Sequence, residues 1–200
     1  MMENRKIRTF FDERAANWDA ERDPEFIQRA AAIMDELPLG RGARVLDVGS
    51  GTGVLAPMLA PKVGPEGLIV AVDVSGFMLK EAKRKHVACR VAFLQADVMD
   101  IPLYGPFFDW IICYSVFPHF TDQAHALAQL TSVLKPKGSL VVCHSQSREA
   151  INALHQSVGD VVGGHTIPDH ADMTALVQNA ALTLTRLHNG SDRYIMVAQK

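Results

Sequence analysis

The sequence lacks most features that would mark an unusual chain. It has no charge excess: the net charge is −2 over 200 residues, so nothing draws it globally to nucleic acid or to an anionic membrane. Its one basic cluster, KEAKRKH at 80–86, reads as the solvated face of a helix. Cysteine is scarce. Cys89, Cys113 and Cys143 are odd in number and form no CxxC pair, which excludes a disulfide framework and points to free thiols in a reducing cytoplasm. No apolar run reaches the length of a membrane span. The charged start, MMENRKIRTFFDERAANWD, has no apolar h-region, so no signal peptide is expected. There is no internal repeat or low-complexity tract. What remains is 48% apolar and 21% charged, the profile of one globular domain spanning 1–200.

What is present is a rhythm. Residues 4–20 read as a helix carrying Phe10, Phe11 and Trp18. A second helix is expected from Asp23, a capping residue followed by Pro24, with Phe26, Ala30, Ile33 and Leu37 on one face. Strands are then expected at 43–49, 68–74, 90–97, 108–115 and 139–145. Helical stretches lie between them, one running to about Leu59, one capped by Ser75 at 76–86, and one at 122–134. KPKG at 135–138 reads as a turn. The strands are nearly continuous in apolar residues, as in a parallel sheet covered on both faces. Helices at 147–158 and 168–180 precede two strands around the NGS turn at 189–191. The expected fold is α/β: a doubly wound, mostly parallel seven-stranded sheet with an antiparallel C-terminal hairpin.

In such sheets ligands sit at the carboxyl ends of the strands. VLDVGSGTG (45–53) puts Gly49, Gly51 and Gly53 in the first of those loops, just after Asp47. Glycine there allows a sharp turn and close backbone approach. Asp73 ends the second strand, 20 residues past Gly53, and Asp97 follows the third. Three consecutive strands thus end in carboxylates along one rim. The glycine spacing is not the G-x-G-x-x-G of nicotinamide enzymes, no Lys or Arg stands in the loop, and no Tyr-x-x-x-Lys occurs in the chain. Asp47 would repel pyrophosphate. The loop suits a ligand with a positive charge and an amino group.

VLDVGSGTG, VAVDVS (70–75), LQADVMDIP (94–102), FDWIICYSVFPHF (108–120) and LTSVLKPKGSL (130–140) resemble, in order, the class I S-adenosylmethionine-dependent methyltransferases, small-molecule type. The resemblance covers residues 8–145 well and the tail in outline. It implies S-adenosylmethionine as cofactor and methyl transfer to a small-molecule acceptor by in-line displacement. It implies that Asp47, Gly49, Gly51 and Gly53 hold the methionine part, Asp73 the ribose, and Asp97 and Val98 the adenine. Val74 and Met78 would pack on the ring, and Tyr114 would lie under the sulfonium. FFDERAANWD resembles a lid helix, so residues 1–40 become N-terminal lid helices with Phe11 and Trp18 near the cofactor.

Positioning is the main catalytic need, since the cofactor arrives activated; a base is needed only if the acceptor loses a proton. The acceptor is expected above strands four and five, beneath a substrate-covering segment at 146–167. Tyr114, Ser115, His119, His144 and Ser145 are candidates there, with Tyr114, His119 and His144 proposed as catalytic. His155 shares a helical face with Arg148 and Asn152, and His165 stands in GGHTIP, so three or four imidazoles can converge. His119, His144 and His155 are therefore weak metal-ligand candidates, able to hold a metal or a metal-containing substrate, although no HxH or HExxH pair pre-forms a chelate. His125, His170 and His188 are expected to face solvent, and Cys113 and Cys143 to sit in the helical layers as small hydrophobes. No basic face and no NPPY or DPPY run suggests a nucleic-acid substrate, and no membrane partner is expected. A cofactor-binding, non-catalytic regulator remains the alternative. The acceptor and the oligomeric state are left open.

Overall fold

The computed structural model describes residues 2–21, 23–158 and 164–200. The chain opens with two helices, α1 (Met2–Arg14) and α2 (Pro24–Glu36). It then alternates β1 (Arg44–Val48), α3 (Ala56–Val63), β2 (Leu68–Asp73), α4 (Gly76–Ala82), β3 (Arg90–Gln95), β4 (Phe108–Tyr114), α5 (Gln123–Val133) and β5 (Leu134–His144). The tail adds α6 (Arg148–Val158), α7 (His170–Asn179), β6 (Thr183–Asn189) and β7 (Tyr194–Gln199). The strands form one sheet in the order β3-β2-β1-β4-β5-β7-β6. β1 to β5 pair in parallel, while β7 lies antiparallel to both β5 and β6. This is the expected doubly wound sheet with its hairpin. The second hairpin strand is the one inserted next to β5.

Alternating strand residues feed two cores. Leu46, Val48, Ile111, Cys113, Leu140 and Val142 pack on one face with Leu127 and Leu130 of α5. Val45, Ile112, Val141 and Cys143 pack on the other with Ile33 of α2 and Leu59 of α3. Burial on both faces explains why the strands read as unbroken apolar runs. Cys113 and Cys143 are buried hydrophobes on opposite faces, as expected. Among the described residues, no helix is long and apolar enough to cross a membrane.

Local chemistry sets the helix starts. Asp23 accepts the amide of Glu25 with Pro24 at the first position, and Ser75 accepts the amide of Met78. Four boundaries differ from the sequence reading, one of them the end of α4, which stops at Ala82 instead of 86. α1 stops at Arg14, and residues 15–21 form turns instead of continuing to 20. Asp19 explains the turn: it accepts the Thr52 hydroxyl and pairs with Lys85, which pulls the chain down onto the glycine loop. α3 begins at Ala56 and runs past Leu59 to Val63, where Gly64 closes it at φ +69°. The expected KPKG turn is instead part of β5. Lys137, at φ +65°, donates its amide to the Lys200 carbonyl, and the end of the chain holds the segment in the sheet as a bulge.

Ser75 does double duty, because its hydroxyl also donates to Asp12 on α1. Ser75→Ala should lower stability by about 1–2 kcal/mol through the lost cap and tether. Urea unfolding checks this, and amide exchange across residues 2–14 should speed up in the same variant.

Candidate active site

A cavity of about 940 Å³, open mouth included, lies over the carboxyl ends of β1, β2 and β4, where the strand order reverses. Asp47, Gly49, Gly51, Asp73, Val74, Met78, Asp97, Val98, Tyr114, Ser115 and His119 all line it. These are most of the residues the sequence singles out. Phe11 and Trp18 close it from the N-terminal segment.

Three carboxylates face a cavity whose lining, among the described residues, holds no Lys or Arg. Asp47 is 1% exposed, and its Oδ2 has no hydrogen-bond partner among the described residues. Burial, then the neighbouring charge of Asp73, pushes its carboxyl up to about 7. Asp73 accepts the amides of Gly51 and Ser75, each at 2.8 Å. Those bonds favour the carboxylate, but burial outweighs them and, with a smaller push from Asp12, raises it to about 6. Asp97 caps the short turn Val98–Asp100 by accepting the Met99 amide. Two adjacent buried acids with no cationic side chain among the described lining residues are a site for a cation.

The three glycines differ in purpose. Gly51, at φ +53°, has open space where a side chain would stand and turns its amide to Asp73. Gly49, at φ +64°, lets the loop after β4 come close: a Cβ there would stand 2.3 Å from Val116 Cγ2. Gly53 does not line the cavity. Its missing Cβ admits Ala82 of α4 at 3.0 Å, so it serves helix packing. The opposing loop is shaped too, with Ser115 at φ +54°.

The N-terminal segment is seated over the cavity. Asp12 takes the Ser75 hydroxyl, Asp19 takes that of Thr52, and Lys85 pairs with Asp19 at 2.7 Å. Phe11 and Trp18 do not share a helical face, because α1 ends between them, yet their rings still meet edge to face at 5.5 Å. Asp12, Asp19, Thr52, Ser75 and Val116 are site-building residues that sequence reasoning missed as such. Only the glycine spacing hinted that something must approach the loop.

The histidines gather at the other end. Phe11 also meets His119, at 5.6 Å. Behind His119 stand His165, with the two Nδ1 atoms 3.1 Å apart, and His155, with ring centroids at 4.9 Å. α6 clamps the 165–167 stretch: Asn152 bonds both backbone groups of Ile167, and His155 Nδ1 donates to the His165 carbonyl. His144 does not line the cavity. It is 1% exposed beside Tyr194, and neither ring nitrogen has a partner among the described residues. Ser145 is likewise buried off the cavity, its carbonyl held by Arg29. Burial, then the neighbouring imidazoles, lowers His119 and His144 to about 3, and burial lowers His155 as well, so these rings are neutral bases. Among the described residues no three His, Cys, Asp or Glu side chains are grouped to hold a metal ion. In the 146–167 segment, of which 159–163 lie outside the described residues, the described residues support His119 from behind and none of them is part of the cavity wall. His125, His170 and His188 are exposed, as expected.

Comparison with known proteins now decides the family. The family model described as "Methyltransferase domain" matches residues 39–188. The chain belongs to the class I S-adenosylmethionine-dependent methyltransferases. Its curated relatives include the "Ubiquinone/menaquinone biosynthesis C-methyltransferase UbiE" of Coxiella burnetii (strain RSA 331 / Henzerling II), 31% identical over 145 residues, covering 68% of this chain and 58% of that one. The protein of the same description from Pseudomonas fluorescens (strain SBW25) is 36% identical over 123 residues, covering 60% and 47%. The matched region spans about half the length of these curated relatives. Solved structures share the fold. A SAM-dependent methyltransferase from Aquifex aeolicus superposes with a TM-score of 0.75 at 22% identity, covering 92% of this chain and 97% of that one. Magnesium protoporphyrin IX methyltransferase (ChlM) from Synechocystis PCC 6803, with bound SAH, gives 0.74 at 18% identity, covering 99% of each.

The methyltransferase site fits this family's cofactor on its own evidence. The Asp47 oxygen, unpartnered among the described residues, and the absence of a Lys or Arg among the described lining residues match a ligand bearing a sulfonium and an amino group. Asp73 presents its carboxylate to the same cavity, and Val74, Met78 and Val98 offer apolar surface beside Asp97.

Because the cation needs the ionised acids, its affinity should fall as pH drops through about 7 and then about 6, where Asp47 and Asp73 take up protons. Calorimetry should find S-adenosylmethionine bound about tenfold more weakly at pH 5.5 than at pH 8. Binding at low pH should also release protons to the buffer. Gly49→Ala should abolish binding at both values, since its Cβ collides with Val116.

Proposed function

We propose that this chain transfers a methyl group from S-adenosylmethionine to a small, largely apolar acceptor of phenol or quinol type. The observation that carries the reading is the pair of buried carboxylates, Asp47 and Asp73, flanking the glycine loop with no Lys or Arg among the described residues of the cavity lining. When bound, the cofactor supplies an activated methyl carbon open to in-line displacement. The chain's own residues bind, orient and exclude water. Asp47 faces the positive end, Asp73 the ribose, and Asp97 with Val98 the base. Tyr114 lies on the cavity wall nearest the acceptor side.

The acceptor class rests on the far wall, where Phe11, Trp18, Tyr114, Val116, His119 and Phe120 make an aromatic and apolar surface. Such a surface suits a flat ring. The curated relatives are named as C-methyltransferases of ubiquinone and menaquinone biosynthesis, which supports a ring acceptor here too. Three free thiols, two of them fully buried, support a reducing cytoplasmic setting.

The test uses 1,4-naphthoquinol and methyl-labelled S-adenosylmethionine. Label should pass to the ring, and Asp73→Ala should weaken cofactor binding by about 1.5–3 kcal/mol. Tight binding of S-adenosylhomocysteine with no transfer to naphthoquinol, catechol or a thiol would mark the chain as a cofactor-binding regulator. Binding of NADH in place of either sulfur ligand would overturn the site itself.

A further inference from the structure

The two histidines behind the acceptor side join separate spaces. His119 lines the cofactor cavity. His165 lines a second, open groove, walled by Pro118, Phe120, Asp122, Gln123 and Thr166 on the outer side of the same loop. The two rings meet Nδ1 to Nδ1 at 3.1 Å, so one nitrogen carries the hydrogen and the other accepts it. His119 Nε2 lies on the side of its ring away from that bond, with no hydrogen-bond partner among the described residues. An imidazole takes a proton at one nitrogen and gives one up at the other. Two in series make a path from cavity to groove.

We propose that His119 and His165 form a relay that carries the acceptor's proton out of the cavity during methyl transfer, His119 acting as the catalytic base and His165 as the residue that empties it. The proposal deepens the function above and rests on it, because it requires an acceptor that sheds a proton: a phenolic oxygen, an activated ring carbon or a thiol.

The step balances. The acceptor forms its bond to the methyl carbon while the bond from that carbon to sulfur breaks, its electron pair staying on sulfur. The acceptor's proton goes to His119 Nε2, and the pair from that acceptor–hydrogen bond stays with the acceptor. His119 Nδ1–H passes its proton to His165 Nδ1. His165 releases its Nε2 proton to the groove. Both rings end neutral with their tautomers exchanged, and they reset when the cavity opens to solvent.

The surroundings explain why a single histidine would be a poor base here. Among the described residues the titratable groups facing His119 are all imidazoles: His165 from the 164–167 stretch, His155 from α6 and His144 from β5. No carboxylate stands among these, so an imidazolium at 119 would be buried beside other imidazoles. Handing the proton onward avoids that charge. The support is built in: Asn152 and His155 fix the backbone of the 165–167 stretch and so hold His165 in place.

The relay is read first without any acceptor. In the S-adenosylhomocysteine complex with 15N-labelled histidine, one proton should be shared between the two Nδ1 atoms, with the His119 ring neutral at pH 7. Its exchange with solvent should slow at least tenfold in His165→Asn, whose side-chain amide keeps a hydrogen bond to His119 but cannot pass a proton through. Cofactor affinity and thermal unfolding should be unchanged in that variant. With 1,4-naphthoquinol as probe, kcat should drop about a hundredfold with an unchanged KM for S-adenosylmethionine. The wild-type proton inventory should bow, marking two protons in flight, and should become linear in the variant. Exchange unaffected by His165→Asn, or His119 found as imidazolium at pH 7, overturns the relay even if naphthoquinol is methylated. Exchange that slows as expected, with naphthoquinol untouched, rejects the ring acceptor and leaves the relay standing.

Discussion

The site hangs on one carboxylate. Asp73 receives the backbone N–H of Gly51 on one oxygen and that of Ser75 on the other, and so ties the end of β2 to the glycine loop and to the start of α4. Ser75 then caps α4 and holds Asp12, which seats α1 over the cavity. Strand, loop, helix and lid therefore share one hub. The hub is also a buried acid beside a second, Asp47, and burying both without a cation is costly. The arrangement that organises the site is the one that makes a cationic ligand welcome.

The two ends of the cavity use burial in opposite senses. At the carboxylate end, desolvation raises acids toward neutrality, and a cation reverses it. At the histidine end, desolvation lowers bases toward neutrality, and no anion among the described residues reverses it. One wall is thus tuned to answer a charge, and the other stays a neutral lone-pair acceptor. That division suits a reaction between a cationic donor and a protic acceptor held between them. The glycines follow the same logic. Gly49 and Gly53 let neighbouring elements close in, while Gly51 alone turns its amide toward the carboxylate hub.

Much of this was legible in the sequence. The apolar runs of β1 to β5 announced a parallel sheet because each strand is buried on both faces, and the NGS turn announced the hairpin. Asp47, Asp73 and Asp97 could be placed together because a doubly wound sheet puts successive strand ends on one rim. Capping by Asp23 and Ser75 is local chemistry and was readable as such. Where contacts distant in sequence decide, the reading failed. α1 ends at Arg14 because Asp19 is drawn to Thr52 and Lys85. KPKG stays in β5 because the end of the chain pairs with it. His144 follows a strand just as Tyr114 does, yet it lies buried beside Tyr194 while Tyr114 lines the cavity. By itself, then, the sequence determined the sheet and the rim of acids, both consequences of short-range pattern, and implied the cofactor class through its resemblance to the methyltransferase family. Only the tertiary structure decided which histidines meet and which glycine faces the site. Those depend on the packing of α6 and α4 against loops far away in the chain, which no local period encodes.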